Sequence, residues 1–215
     1  MRNERIKKLT VLAMLSAFAY VVLYFLRFPI VLFLKYEPKD VIITIGGFLY
    51  GPFAAFLTSL VVSFLEMITI SDTGWIGFVM NVLSTCAFAC TASYIYKKHH
   101  TLSGAVMGMT LGAILTVIVM LAWNYVLTPL YMNQSRADVA AMLIPVFLPF
   151  NLIKGGLNAT ITALIYRPLV RGLRRAGLFP KSEKTHTPPK TNKILFYTLA
   201  VILLLLCILA VYLLK

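Results

Sequence analysis

Acidic residues are scarce in this chain: seven aspartates and glutamates stand against twenty lysines and arginines in 215 residues, a formal net charge of +13. Such an excess invites a nucleic-acid reading. The basic residues, however, sit in short runs between apolar segments instead of covering a soluble domain, which excludes nucleic acid as a partner and points to loops sorted by charge across a membrane. Cysteine is nearly absent too. Cys86 and Cys90 share one apolar stretch and Cys207 lies in another, so neither a disulfide framework nor zinc spacing is available, and they read as small hydrophobes. The three histidines, His99, His100 and His186, all fall in polar connections, which removes a Ser–His protease and a histidine metal site from the apolar segments. No glycine-rich loop ends in Gly-Lys-Ser or Gly-Lys-Thr, so this chain does not itself hydrolyse ATP.

What is abundant is apolar sequence. Hydrophobic residues make up 60% of the chain and mean hydropathy is +0.87, whereas soluble domains hold about 45–50% apolar residues. The chain reads as an all-α integral membrane protein. A first span is predicted from about Leu9 to Leu26, with no small-residue cleavage site to mark it as a removable signal. Ala13, Ser16 and Ala17 set small side chains on nearly one face of it, an arrangement that admits another helix closely. Pro29, Pro38 and interleaved charges through Lys35-Tyr36-Glu37-Pro38-Lys39-Asp40 predict a structured non-helical loop, with Asp40 capping a short helix over 41–50. Gly51-Pro52 marks a turn. Further spans follow over about 53–70, 75–96 and 102–127, the last stopping before Pro129. A sixth helix is expected to begin with Pro149 in its first position, where the missing N–H costs nothing. On that placement Lys154 lies less than two turns below the helix end.

The lysines and arginines outside the spans, all but Lys154 of the twenty, test the topology. Fourteen fall on the side of the N-terminus, the 97–98 connection and the basic stretch after Tyr166; Arg27, Lys35, Lys39, Arg136 and Lys215 fall on the other. The bias places the N-terminus in the cytoplasm of a multi-pass cell-membrane protein. Residues 1–175 then form a six-helix membrane domain, 176–193 a basic, proline-containing cytoplasmic linker, and 194–215 a seventh transmembrane helix that reads as an anchor.

Within the spans the polar residues are few. In Asn151-Leu152-Ile153-Lys154-Gly155-Gly156-Leu157-Asn158, a helical step of 100° puts Lys154 about 60° and Asn158 about 20° from Asn151, so two amides and a cation share a face. A lysine inside a bilayer costs about 2.5–3.5 kcal/mol and is expected to face the bundle interior or a wet cavity. If the fourth, fifth and sixth helices are neighbours, Asn81, Asn124, Asn151 and Lys154 converge. That set suits a neutral ligand with amide or imide edges and hydroxyls, with Trp75, Phe78, Met80, Trp123 and Tyr36 available to cover a flat ring.

Four stretches carry a resemblance: Tyr36-Glu37-Pro38-Lys39-Asp40, Gly46-Gly47-Phe48-Leu49-Tyr50-Gly51-Pro52, Met80-Asn81-Val82-Leu83-Ser84-Thr85 and Asn151 through Asn158. From about residue 8 to 175 the chain resembles the riboflavin-specific S components of energy-coupling factor (ECF) transporters. The resemblance implies a six-helix bundle that binds riboflavin from outside beneath the first loop and holds it as cargo, with no cofactor of its own. It also implies docking onto a transmembrane coupling subunit driven by two cytoplasmic ATPases. Small residues of the first helix would meet that subunit, here Ala13 and Ala17. Ligand contacts would fall on Asn124, Asn151 and Lys154, with Asn81 and first-loop residues such as Tyr36 as weaker transfers. The seventh segment lies beyond the resemblance. Two other readings stay open on the residues alone: an S component for another vitamin such as thiamine or a folate, and an intramembrane enzyme using Lys154 as a base.

Overall fold

The computed structural model describes residues 2–175 and 190–213; most of the linker expected over 176–193, and Lys215, lie outside them. In chain order come α1 (Arg2–Leu26), a hairpin of β1 (Phe28–Val31) and β2 (Leu34–Tyr36), α2 (Lys39–Tyr50), α3 (Pro52–Thr69) and α4 (Gly74–Thr85). A π-turn at Cys86–Cys90 leads into α5 (Thr91–Lys98), followed by α6 (Leu102–Met132) and α7 (Arg136–Met142). A second π-turn at Leu143–Phe147 leads into α8 (Leu148–Arg175), and α9 (Lys190–Leu213) closes the described chain. Five stretches are long and apolar enough to cross a bilayer: Arg5–Leu26, Pro52–Thr69, Gly74–Lys98, Leu102–Met132 and Arg136–Tyr166, with a shorter apolar helix over Tyr197–Leu213.

The bundle is built around α2. Its 12 residues reach only about 18 Å, short of the ~30 Å of hydrocarbon, yet every residue from Lys39 to Phe48 is buried. It touches α1, α3, α5, α8 and the first π-turn, and an all-round apolar sequence such as Val41-Ile42-Ile43 fits a helix with no free face. Ala19, Leu23, Ile43, Ile45, Ala55 and Val62 form the core where α1, α2 and α3 meet. Small residues let α5 with its π-turn approach α6 closely. A Cβ added at Gly108 would lie 2.7 Å from the Ala92 carbonyl oxygen, and one at Gly112 would lie 2.7 Å from that of Phe88. Dispersion over such backbone contacts substitutes for the hydrophobic drive that lipid does not supply between helices.

Several boundaries differ from expectation. The first loop contains an antiparallel hairpin, Phe28 opposite Tyr36, turning at Leu32 with φ of 48°. Leu32 is an unusual occupant of that region, which glycine, asparagine and aspartate favour. Asp40 does not cap α2: Pro38 holds the N-cap position without a side-chain hydrogen bond, and Asp40 turns inward from the first turn. α6 continues through Pro129 to Met132, because a proline in the last turn forfeits one hydrogen bond only, and it stops where Asn133 adopts φ of 51°. The sixth span begins at Arg136, not Pro149, with Ser135 Oγ accepting from the Asp138 N–H at 3.2 Å. Its helical path passes Pro145 through the wider π-turn, a place where a helix can absorb a missing N–H. Lys154 therefore lies about five turns along this span.

Candidate functional site

At the hairpin end, α3, α4, α6 and α8 enclose a cavity of about 260 Å³, just under the ~300–1,000 Å³ usual for small-molecule sites. Asn81 and Ser84 of α4, Met120 and Asn124 of α6, and Phe150, Asn151 and Lys154 of α8 line it. Phe33, Leu34, Lys35 and Glu37 of the hairpin segment roof it, with Arg27, Glu66, Ser71–Thr73, Met80 and Tyr131 completing the wall.

Position on helices explains the convergence. Ser84 lies ten residues after Gly74 in α4, which brings it level with Lys154, whose Nζ donates to Ser84 Oγ at 3.2 Å. Lys154 also pairs with Asp40 Oδ2 at 3.5 Å. Asp40 is enclosed on every side: Thr85 Oγ1 donates to its Oδ1 at 2.6 Å and Asn158 Nδ2 to its Oδ2 at 3.1 Å, while Tyr36 Oη donates to Asn158 Oδ1 at 2.9 Å. A second buried cluster stands beside this one. Lys39 Nζ is held by Glu66 and, at 2.9 Å, by Glu37; Arg27 Nε lies 3.6 Å from Glu37 Oε1, and its Nη1 donates to the Ile70 carbonyl at 3.1 Å. Burial alone would raise the Glu37 carboxyl. The positive charges of Lys39, Lys154 and Arg27 overrule it and hold the group at about 2, below its ordinary 4.5.

The two clusters balance. Arg27, Lys39 and Lys154 face Glu37, Asp40 and Glu66, and the exposed mouth adds Lys35 opposite Asp72 at 3.6 Å. Removal of one partner from such a buried pair would leave an uncompensated charge, whereas the complete set is tolerated. The asparagines retain capacity beyond the protein. Asn151 uses one N–H on the Phe147 carbonyl; Asn124 uses one on the Met120 carbonyl and accepts from Thr128. A carboxamide offers two donors and two acceptor lone pairs, so both can still bind a polar ligand edge.

Asn81, Asn124, Asn151 and Lys154 thus line one cavity. Tyr36 stands behind it, buried against Phe150, Ile153 and Cys207. Of the ring-covering candidates only Met80 lines the space; Trp75 is 67% exposed and stacks edge-on with Phe78. The apolar cover comes instead from Phe33, Leu34, Met120 and Phe150. Ala13 and Ala17 are exposed on α1, whereas Ser16 turns inward. Sequence reasoning passed over Arg27, Lys39 and Asp40 as parts of the site, although a buried lysine requires a carboxylate and Lys35 through Asp40 offered two.

Residues 7–166 match the protein family described as ECF transporter, substrate-specific component. Riboflavin transporter RibU of Staphylococcus aureus (strain TCH60) is 34% identical over 79% of this chain and 93% of its own length. Riboflavin transporter RibU of Streptococcus thermophilus (strain ATCC BAA-250 / LMG 18311) is 32% identical over 79% of this chain and 84% of its own. Among solved structures, the S component of a bacterial ECF transporter superposes with a TM-score of 0.67 at 31% identity, over 79% of this chain and 99% of that one.

Proposed function

This chain belongs to the substrate-specific components of ECF transporters, and we propose that its substrate is riboflavin, captured at the hairpin end of the bundle and passed inward without chemical change. The observation that carries this reading is the cavity itself. Three carboxamides and one ammonium from three helices meet there beside apolar side chains, the set that a flat, polar-edged, uncharged ring with a hydroxylated tail would use. Charge balance supports the choice among vitamins: Arg27, Lys35 and Lys154 on the wall are matched by Glu37, Glu66 and Asp72. A cationic thiamine or a dianionic folate would unbalance them.

In this reading Asn124, Asn151 and Lys154, with Asn81, hold the polar edges, and the hairpin covers them. Tyr36 acts from behind the wall. In the same reading the N-terminus is cytoplasmic and the cavity opens outward, the orientation that the charge bias supports. Family membership brings a transmembrane coupling subunit and ATPases as partners. The exposed Ala13 and Ala17 face of α1 is the surface proposed to meet the coupling subunit, since small side chains allow helices to approach closely.

The test is spectroscopic. Purified protein given riboflavin at low micromolar concentration should gain a bound-flavin absorption band and quench flavin fluorescence, with neither thiamine nor folate displacing the flavin. A protein that remains colourless refutes the substrate assignment.

A further inference from the structure

The family match ends at residue 166, so α9 is an addition to the shared bundle. Its buried and half-buried positions Tyr197, Ala200, Leu204, Cys207 and Val211, with Ala210 beside the last, recur at spacings of three, four, three and four, the seam of a helix packed along a helix. The opposite side, including Ile202, Leu205, Leu206 and Leu209, is exposed. The seam rests on α8. A Cβ at Gly156 would lie 2.9 Å from Cys207 Sγ, so a larger residue there would press on the Cys207 thiol. The same seam touches the hairpin: Leu204, Cys207 and Val211 share one apolar cluster with Ile30, Val31 and Tyr36.

α8 therefore stands between α9 and the cavity. Its one face carries Asn151, Lys154 and Asn158, and Gly156 lies about 140° round from Asn151. Tyr36 connects the two sides. Its ring is seated in the cluster that includes Cys207 and its hydroxyl fixes Asn158, which donates to Asp40, the carboxylate paired with Lys154. We propose that α9 is a positioning element of the ligand site, holding Tyr36 and the hairpin against α8 so that the Asn158–Asp40 relay sets where the Lys154 ammonium stands.

This inference rests on the riboflavin reading, and the experiment keeps the two apart. In the full chain, Gly156→Cys should oxidise to a 156–207 disulfide, because the added Cβ would stand at about the 3 Å that separates a Cβ from the far sulfur of such a bond. The cross-linked monomer, identified by peptide mass, should bind riboflavin within twofold of wild type. Cys207→Trp should push the seam apart and weaken binding about fivefold, the loss of one net hydrogen bond, while Cys207→Ala stays near wild type. Tyr36→Phe should cost a similar factor, and the Tyr36→Phe/Cys207→Trp double variant should lose no more than either alone.

Wild type that binds no riboflavin overturns the substrate assignment and this inference with it. Wild type that binds while Cys207→Trp stays within twofold, or while the two losses multiply, overturns the inference alone. Where Cys207→Trp does not fold, the disulfide protein decides: absence of the cross-link, or a cross-link that weakens binding tenfold, refutes the positioning role.

Discussion

Replacement of Lys154 by methionine separates the two duties assigned to that side chain. At 3.5 Å from Asp40 Oδ2 and an effective dielectric of about 20, the attraction lost is about 5 kcal/mol. Thr85 and Asn158 continue to donate to the carboxylate, which reduces the net destabilisation to about 3–4 kcal/mol, within the range for breaking a buried pair. A fall in the thermal midpoint on the order of 10 °C is expected for the unliganded protein. Loss of a charge-assisted hydrogen bond to the ligand should also weaken riboflavin binding about 10- to 150-fold. The double variant Asp40→Asn/Lys154→Met distinguishes these effects. With both charges gone no ion is left unpaired, so at least half of the lost stability should return while affinity does not. The assays are thermal unfolding in detergent without ligand and flavin fluorescence titration. A Lys154→Met midpoint within 2 °C of wild type refutes the pair with Asp40; an affinity restored together with stability in the double variant refutes ligand contact by Lys154.

Substitution of Ala13 and Ala17 by leucine should abolish riboflavin uptake in cells that supply the coupling module and leave binding by the purified subunit within twofold, since both side chains lie on the exposed face of α1; loss of binding as well would refute the docking role. Glu37 predicts the pH profile. Its folded-state value, about 2 against an ordinary 4.5, is depressed, so its contribution to holding Arg27 and Lys39 is complete above about 4.5 and is lost as pH falls toward 2. The Glu37-dependent share of stability, taken as the difference between wild type and Glu37→Gln, should therefore be constant from pH 5 to 8 and vanish at lower pH; a midpoint for that loss near 6 would refute the depressed value.

Much of the bundle was legible because its signals are local. Apolar runs of spanning length and the basic residues between them marked the helices, and helical spacing brought Asn151 and Lys154 onto one face. The hairpin was not legible: Leu32 and Phe33 carry no glycine or asparagine at the turn, and the strands are too short for alternation to register. Pro129 and Pro149 were read as boundaries by their backbone chemistry, whereas the one sits in the last turn of a continuing helix and the other follows a π-turn within a continuous span. The partner of Lys154 was missed for a different reason. Asp40 lies in the first turn of its own helix, where local rules assign a carboxylate to capping, and only the packing of α2 at the centre of the bundle sends it toward Lys154 and Asn158. The seam of α9 on α8 depends on Gly156 and Cys207, a contact across 51 positions that neither residue announces.

The equality of three cations and three carboxylates around the cavity also bears on energy conversion. Each elementary charge carried across a potential of 100 mV costs or yields about 2.3 kcal/mol. With all six ionised, Arg27, Lys39 and Lys154 with Glu37, Asp40 and Glu66 sum to zero, and riboflavin, the proposed cargo, would add no charge. A passage of this site from one side of the bilayer to the other therefore moves no net charge through the field, and the voltage across the membrane neither assists nor opposes it.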